Sequence, residues 1–481
     1  MTNKKFYLTT TLPYVNAEPH IGFALEMVQA DIVARYHSLA GDEVFFNTGT
    51  DEHGLKIHRK ALEAGVTPQQ YVDEYAAKFR DLTKALDMYQ ELHFVRTTDA
   101  HHKAAAQEFW KRCDASGDIY KKDYTISYCV GCELEKTTSE LVDGKCPLHP
   151  NLEIEHIHEE NYFFRWSKYQ QPLLDFYAAH PHFVLPDFRF NEIRKFVESG
   201  LEDFSISRLK EKMPWGVDVP GDPAHVIYVW FDALINYIST LGWPEDTAQV
   251  EKFWGTAKQP NGLQFAGKDQ IRQQAAMWQA MLMSAGIPNT KQILIHGFIT
   301  SGGQKMSKSL GNVVNPTVII DEYGVDALRY FLARHVHPFE DSDFTMEKFK
   351  SAYNADLANG IGNLASRIMQ LAQTHLSAPV TLEYKPLPKE FSDALDNFEI
   401  HKATEYVWDR ISALDRKITE TAPFKVVKED AEKGRAIITE LTTELAYIDQ
   451  MLEPILPATS KKIIEAILAN KKPENLFPRK E

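Results

Sequence analysis

Residues 6–22 read Phe6-Tyr7-Leu8-Thr9-Thr10-Thr11-Leu12-Pro13-Tyr14-Val15-Asn16-Ala17-Glu18-Pro19-His20-Ile21-Gly22. The run over 6 to 12 is stopped by Pro13, which has no N–H to give a ladder, so it predicts a buried strand that ends in a polar turn. From Ala24 to Leu39 the apolar residues Leu25, Val28, Ile32 and Tyr36 recur at helical spacing, and the turn therefore opens into a helix. Val44-Phe45-Phe46 predicts a second short strand, closed by polar Gly49-Thr50-Asp51-Glu52-His53-Gly54. Strand, turn, helix, strand is the opening of a parallel α/β domain. Ligands bind beyond the carboxyl ends of such strands, so the first polar loop and Asp51 are expected to face one cleft.

The texture changes twice along the chain. From about Ser116 to Val219, short strands, Pro-rich turns and a cysteine cluster suggest an inserted domain, after which the α/β pattern resumes at His225-Val226-Ile227-Tyr228-Val229-Trp230. Beyond Phe349 the pattern is almost wholly helical, with one Pro-rich interruption from Ala378 to Pro388. At 481 residues the chain has room for about three domains. Its 44% hydrophobic and 25% charged residues are those of a soluble globular protein. No run of about 18 apolar residues predicts a membrane span. Lys4 and Lys5 are followed by a strand rather than a sustained apolar segment, so no signal peptide is expected. Four cysteines do not make a disulfide scaffold, which points to a reducing cytoplasm. A net charge of -14 argues against a generic polyanion binder, although local patches decide specific partners.

Cys129-Val130-Gly131-Cys132 and Cys146-Pro147-Leu148-His149 are two ligand pairs of the same internal spacing. Each pair can wrap one side of an ion, and three sulfurs with one nitrogen satisfy tetrahedral Zn2+. Four ligands close the shell, so one structural zinc per chain is expected, with Gly131 and Gly144 freeing the turns. Neighbouring Asp143 and Glu133 read as solvated surface, and Cys113 as a small buried hydrophobe.

Phosphate chemistry has two candidate halves. A helix opening at His20-Ile21-Gly22 offers unpaired N–H groups and a positive dipole end. The segment Gly302-Gly303-Gln304-Lys305-Met306-Ser307-Lys308-Ser309 carries two lysines on a glycine-hinged polar stretch, the form of a mobile clamp. Trp230 and Tyr237, seven apart on one helical face, read by themselves as core.

His20-Ile21-Gly22-Phe23 together with Lys305-Met306-Ser307-Lys308-Ser309 resembles the two signatures of class I aminoacyl-tRNA synthetases, and finer blocks resemble the methionyl-tRNA synthetase family over essentially the whole chain. Those blocks are Thr11-Leu12-Pro13-Tyr14, Gly49 to Gly54, Val229 to Tyr237, and Gly267-Lys268-Asp269. The resemblance implies a Rossmann-type parallel-sheet catalytic domain, an inserted zinc-knuckle connective domain and an all-α anticodon-binding bundle. It divides the chain into 1–115 and 223–292 for the catalytic halves, 116–222 for the insert, 293–350 for the signature loop and stem-contact region, and 351–481 for the bundle. It implies activation of L-methionine by ATP with Mg2+, then transfer to tRNA(Met), initiator tRNA included. His20, Lys305 and Lys308 would be catalytic, meeting charge on phosphate oxygens. Gly22, Asp269, His296 and Gly297 would join them around ATP. Asp51 would hold the substrate ammonium, with Leu12, Tyr14, Trp230, Ala233, Leu234, Tyr237, Gln274 and Trp278 around the side chain. Asn363, Arg367 and Phe424 would read the anticodon by hydrogen bonds and stacking. Without the C-terminal extension some members carry, a monomer is expected.

Three positions depart from the family pattern. Phe23 stands where the first signature ends in histidine, Gln274 replaces a pocket histidine, and Phe424 replaces a stacking tryptophan. A synthetase for another apolar amino acid and a catalytically lapsed paralogue are the competing expectations.

Overall fold

The computed structural model describes residues 4–136, 140–306, 311–382 and 384–480, without the side chains of Tyr124, Ile126, Leu134, Glu135, Ile157 and Lys305. It divides into two units, one of Met1–Glu18, Asp42–Asp81 and Gln90–Ile295, the other of Pro19–Gly41, Leu82–Tyr89 and His296–Glu481.

In the first unit the strand predicted at the N-terminus runs Lys5–Thr9, with Tyr7 and Leu8 fully buried. It pairs in parallel on one side with Glu43–Thr50 and on the other with Gly262–Gly267. Six strands follow the order Leu92–Arg96, Glu43–Thr50, Lys5–Thr9, Gly262–Gly267, Gln292–His296, Val184–Leu185. The chain thus starts in mid-sheet, winds outward to one edge, and returns on the far side of its first strand. That reversal of strand order is where an open α/β sheet leaves a crevice for ligands. Gly49 lies opposite Val95, and a Cβ there would sit 1.8 Å from the Val95 carbonyl oxygen, so these strands close only around glycine.

The insert carries a four-stranded antiparallel sheet whose long pair, Ile119–Cys129 with Glu155–Phe164, delivers Cys129 to its tip. Inside the stretch expected to be inserted, Val184–Leu185 joins the parallel sheet against Gln292–His296. The sequence reading resumed the α/β pattern at His225, and here the structure differs. Asp222–Ile227 pairs antiparallel with Asp218–Val219 and Ser207–Leu209, because the chain folds back through Pro220-Gly221 before it can reach the parallel sheet.

The second unit contains the helix Ile21–Leu39, a small sheet of Gln304–Lys305, Ile299–Ser301 and Ser342–Phe344, and a bundle. The bundle helices include Asn363–His375, Ile400–Thr421, Ala431–Leu452 and Pro457–Leu468, and the described residues 376–382 and 384–388 are non-helical as expected. One buried ion pair organises the unit. The fully buried Arg329 donates to Asp31 at 2.7 Å and to the carbonyls of Leu86, Pro454 and Ile455 at 3.2, 3.1 and 3.0 Å. Asp31 also accepts from Arg35 at 2.7 Å and from the Tyr89 N–H at 2.6 Å. No helix among the described residues is long and apolar enough to cross a membrane.

Removing one partner of a buried pair strands the other charge away from water. Arg329→Ala is expected to lower stability by about 3–5 kcal/mol, seen as a shift of the urea midpoint.

Candidate active site and metal centre

In the first unit, the turn after the first strand is pinned to the end of the second. Asp51 N–H donates to the Pro13 carbonyl at 3.0 Å and Val15 N–H to the Asp51 carbonyl at 3.1 Å, which sets Tyr14 beside Asp51. The Asp51 side chain is 8% exposed, and its Oδ1 has no hydrogen-bond partner. Burial, and then the negative charge of Asp232, push its carboxyl well above the usual carboxylate range. Asp232 lies between two histidines, its Oδ2 2.6 Å from His53 Nδ1 and its Oδ1 3.0 Å from His102 Nε2. Burial opposes ionisation of Asp232, yet the two imidazoles hold it down to about 2. Glu52 next door is clamped by Arg96 at 2.7 and 2.8 Å, and its carbonyl accepts from Trp215 Nε1 at 2.6 Å. The result is a buried, backbone-pinned carboxyl group with one oxygen lacking a protein partner, an arrangement that an ammonium could complete.

The residues expected to line the amino-acid pocket take several forms. Leu12, Tyr14 and Trp230 are half-buried, and Ala233, Leu234 and Tyr237 are buried. Trp230 and Tyr237 lie on two successive short helices, Val229–Ala233 and Asn236–Ser239, rather than on one. Trp230 Nε1 is buried without a hydrogen-bond partner. Trp278 is enclosed in the core, its ring 5.7 Å from Phe109 and 5.8 Å from Tyr237. Gln274 sits in a buried amide chain between Gln264 at 3.4 Å and Gln270 at 3.5 Å, and Gln264 accepts from Thr290 at 2.8 Å. Asp269 is exposed on the short turn Lys268–Gln270.

In the second unit His20 caps the helix Ile21–Leu39, its Nδ1 accepting from the Gly22 N–H at 3.0 Å. A Cβ at Gly22 would meet the His20 ring at 2.8 Å, so the cap needs glycine there. Phe23, the departure from the first signature, lies against that ring with centroids 4.4 Å apart. The helix start is tied to the chain on both sides of the second signature. Ile21 N–H donates to Val314 O at 3.0 Å, and His296 Nε2 lies 2.8 Å from Glu26, with Nδ1 2.8 Å from Gly297 O. Lys305 lies on the strand Gln304–Lys305, paired with Ile299–Ser301, and Asp343 accepts from Gly303 N–H at 2.7 Å in the intervening turn. The Lys305 side chain and the whole of Lys308 lie outside the described residues. Asn363 is exposed at the start of Asn363–His375, Arg367 pairs with Asp415, and Phe424 is 46% exposed on Pro423–Glu429.

The four predicted ligands come together as one cluster, with Cys129, Cys132, Cys146 and His149 donor atoms all within 4.8 Å of one another. Cys132 Sγ lies 3.5 Å from Cys146 Sγ and 3.2 Å from His149 Nδ1, a few tenths of an ångström inside what tetrahedral ligation demands. Gly144 has φ +76, as a turn glycine should, but Gly131 acts differently. A Cβ on it would stand 2.4 Å from the His149 ring, so glycine admits the fourth ligand. Asp143 is exposed as expected, whereas Glu133 is not surface at all. It is 4% exposed, accepting from Lys56 N–H at 2.6 Å, from Tyr14 Oη at 3.2 Å and from Tyr128 Oη. Burial pushes its carboxyl up to about 7, against those donors. Cys113 is fully buried, and burial raises its thiol to about 12. His53, His102, Asp232 and Glu133 are thus the site residues that pattern reading missed. His53 and Asp232 fall inside the quoted family blocks, the one signal that could have drawn attention to them.

A doubly wound parallel sheet with these two signatures defines the class I tRNA synthetases as a class. The sequence matches the family tRNA synthetases class I (M) over residues 6–153 and 137–369. It is 40% identical over 480 residues to the methionine–tRNA ligase of Caldanaerobacter subterraneus subsp. tengcongensis, spanning 96% of this chain and 74% of that one. To the methionine–tRNA ligase of Thermosynechococcus vestitus it is 41% identical over 477 residues, spanning 95% and 89%. The structure of Mycobacterium tuberculosis methionyl-tRNA synthetase in complex with methionyl-adenylate superposes with a TM-score of 0.88 at 34% identity, over 99% of each chain. The chain belongs to the methionine-type class I tRNA synthetase family.

Two tests follow from this geometry. Gly131→Ala should push His149 off the cluster and lower the metal retained after dialysis, measured by elemental analysis. A carboxyl raised on folding destabilises the fold increasingly as pH climbs from its unfolded to its folded value. Asp51→Asn, which never ionises, should therefore raise the melting midpoint at neutral pH by about 2–4 °C. That gain should vanish below about pH 4, where both forms are neutral.

Proposed function

We propose that the protein is a methionine–tRNA ligase: it joins L-methionine to ATP, releasing pyrophosphate, and passes methionine from the adenylate to the 3'-terminal adenosine of tRNA(Met). The observation that carries this reading is the buried Asp51 with its unpartnered oxygen, bridged to half-buried Tyr14. A carboxylate for the amine and aromatic walls for a flexible thioether suit methionine better than a branched aliphatic side chain. The relatives named above are methionine–tRNA ligases, and one solved relative holds methionyl-adenylate.

In this reading Asp51 fixes the ammonium, and Leu12, Tyr14, Trp230, Ala233, Leu234, Tyr237, Gln274 and Trp278 shape the side-chain pocket. The methionine carboxylate attacks the α-phosphorus of ATP, and pyrophosphate leaves. His20, Lys305 and Lys308 meet the charge gathering on the phosphate oxygens, a task of positioning and electrostatics. Phe23 holds the His20 ring by contact, so the missing signature histidine shifts phosphate work toward the lysines. Gly22, Asp269, His296 and Gly297 serve the adenosine and phosphate side, with Mg2+ accompanying ATP. The Cys129, Cys132, Cys146 and His149 cluster suits Zn2+, and its full ligand set makes the role structural. Asn363, Arg367 and Phe424 read the anticodon. Arg367 can leave Asp415 for a base at small cost, because an exposed pair is weak. The five-part division of the chain, a monomeric state and a cytoplasmic location complete the reading.

ATP–pyrophosphate exchange with a panel of amino acids tests it. Exchange with methionine alone is the expected result; exchange with leucine or isoleucine, or none, would reject it. Asp51→Ala should weaken methionine binding at least tenfold, since it removes a charge-assisted contact worth roughly 1.5–3 kcal/mol. Lys308→Ala should cut exchange steeply while calorimetric methionine affinity stays within twofold.

A further inference from the structure

Glu133 follows the cluster ligand Cys132 directly, and its backbone sits in the left-handed region at φ +53. Only a surrounding that over-determines the conformation keeps a non-glycine residue there. Four hydrogen bonds do so. Its Oε1 accepts from Tyr14 Oη at 3.2 Å and from the Lys56 N–H at 2.6 Å. Its Oε2 accepts from Tyr128 Oη, and its carbonyl oxygen accepts from Tyr228 Oη at 2.5 Å.

These donors are not scattered. Tyr14 lies on the turn bridged to Asp51. Lys56 opens the helix Leu55–Glu63, which Gly54 leaves without a side-chain cap, so Glu133 satisfies an orphan N–H from a distant part of the chain. Tyr228 precedes Trp230 by two residues, and Tyr128 precedes the ligand Cys129. The Tyr14 hydroxyl fills a slot made for it: a Cβ at Gly54 would stand 2.7 Å from that oxygen.

We infer that Glu133 is a positioning residue for the amino-acid pocket, through which the closed metal knuckle holds Tyr14 and the start of the 55–63 helix in register with Asp51. The inference rests on the proposal that Tyr14 lines the methionine site. The knuckle then fixes substrate fit as well as its own loop, and the carboxylate carries that constraint between them.

The test compares Glu133→Ala, Glu133→Gln and Tyr14→Phe in metal-loaded full-length protein. Methionine affinity is read by calorimetry, exchange kinetics with methionine and ATP varied separately, and metal content by elemental analysis. Glu133→Ala is expected to weaken methionine binding about tenfold, the loss typical of charge-assisted hydrogen bonds, with KM for ATP unchanged and one metal per chain retained. Glu133→Gln keeps an acceptor for Tyr14 and Lys56 and should restore affinity to within about twofold, given that context dependence. Tyr14→Phe leaves the knuckle untouched and should reproduce the methionine effect, and the double variant should be no worse than Glu133→Ala alone. Wild-type methionine affinity in Tyr14→Phe, or additive losses in the double variant, would overturn the assignment. A metal-depleted Glu133→Ala beside an unaffected Tyr14→Phe would do the same, leaving only a structural part. If wild-type protein shows no methionine-dependent exchange, the underlying reading fails too. Normal wild-type exchange with unaffected variants rejects Glu133 alone.

Discussion

A buried carboxyl group with an unpartnered oxygen is an expensive thing for a protein to hold, and Asp51 in the first unit is such a group. Left to itself such a group would stay protonated or draw in water. The strand end is pinned by backbone bonds to Pro13 and Val15, which stops the side chain from turning outward. Asp232, whose charge would aggravate the problem, is sandwiched between His53 and His102 and so partly screened at its source. The aromatic residues expected around Asp51 fit a substrate that brings its own positive charge and an apolar tail. In the proposed reading an ammonium supplies the partner that this oxygen lacks.

The second unit, in the proposed reading, answers a different demand, that of presenting charge to phosphate. Its first helix begins with a self-capped His20 and is fastened to the chain at His296 and at Val314, on either side of the lysine signature. Phe23 packs where a second imidazole would stand, exchanging a donor for a contact that orients the remaining ring. Asp343 anchors the turn at Gly303 that leads into that signature.

Local pattern carried much of this. Pro13, the helical spacing from Ala24 and the strand at Val44 sufficed for the parallel domain, and the paired spacing of Cys129, Cys132, Cys146 and His149 sufficed for the cluster. What stayed hidden depends on partners far off in sequence. His53 meets Asp232 across 179 residues, and a polar residue after a cysteine turn looks solvated until Tyr14 arrives from 119 residues away. The strand at His225 was misplaced for a related reason: an apolar run announces burial but not which sheet buries it. Gly131 was legible as a turn residue, yet its need is the approach of His149, which only three dimensions supply.

Arg329 carries one more implication, about time. Asp31 lies in the helix that opens with His20, and its buried guanidinium partner is 298 residues further along, itself completed by the carbonyls of Pro454 and Ile455. During synthesis the first signature emerges early with only Arg35 to pair Asp31, while the buried Arg329 and the carbonyls that complete it follow much later. Domains tend to fold as they appear. Here the helix that opens with His20 must wait for the last helices to complete its buried pair, so a truncated nascent chain would hold the first signature without Arg329 and the carbonyls that seat it.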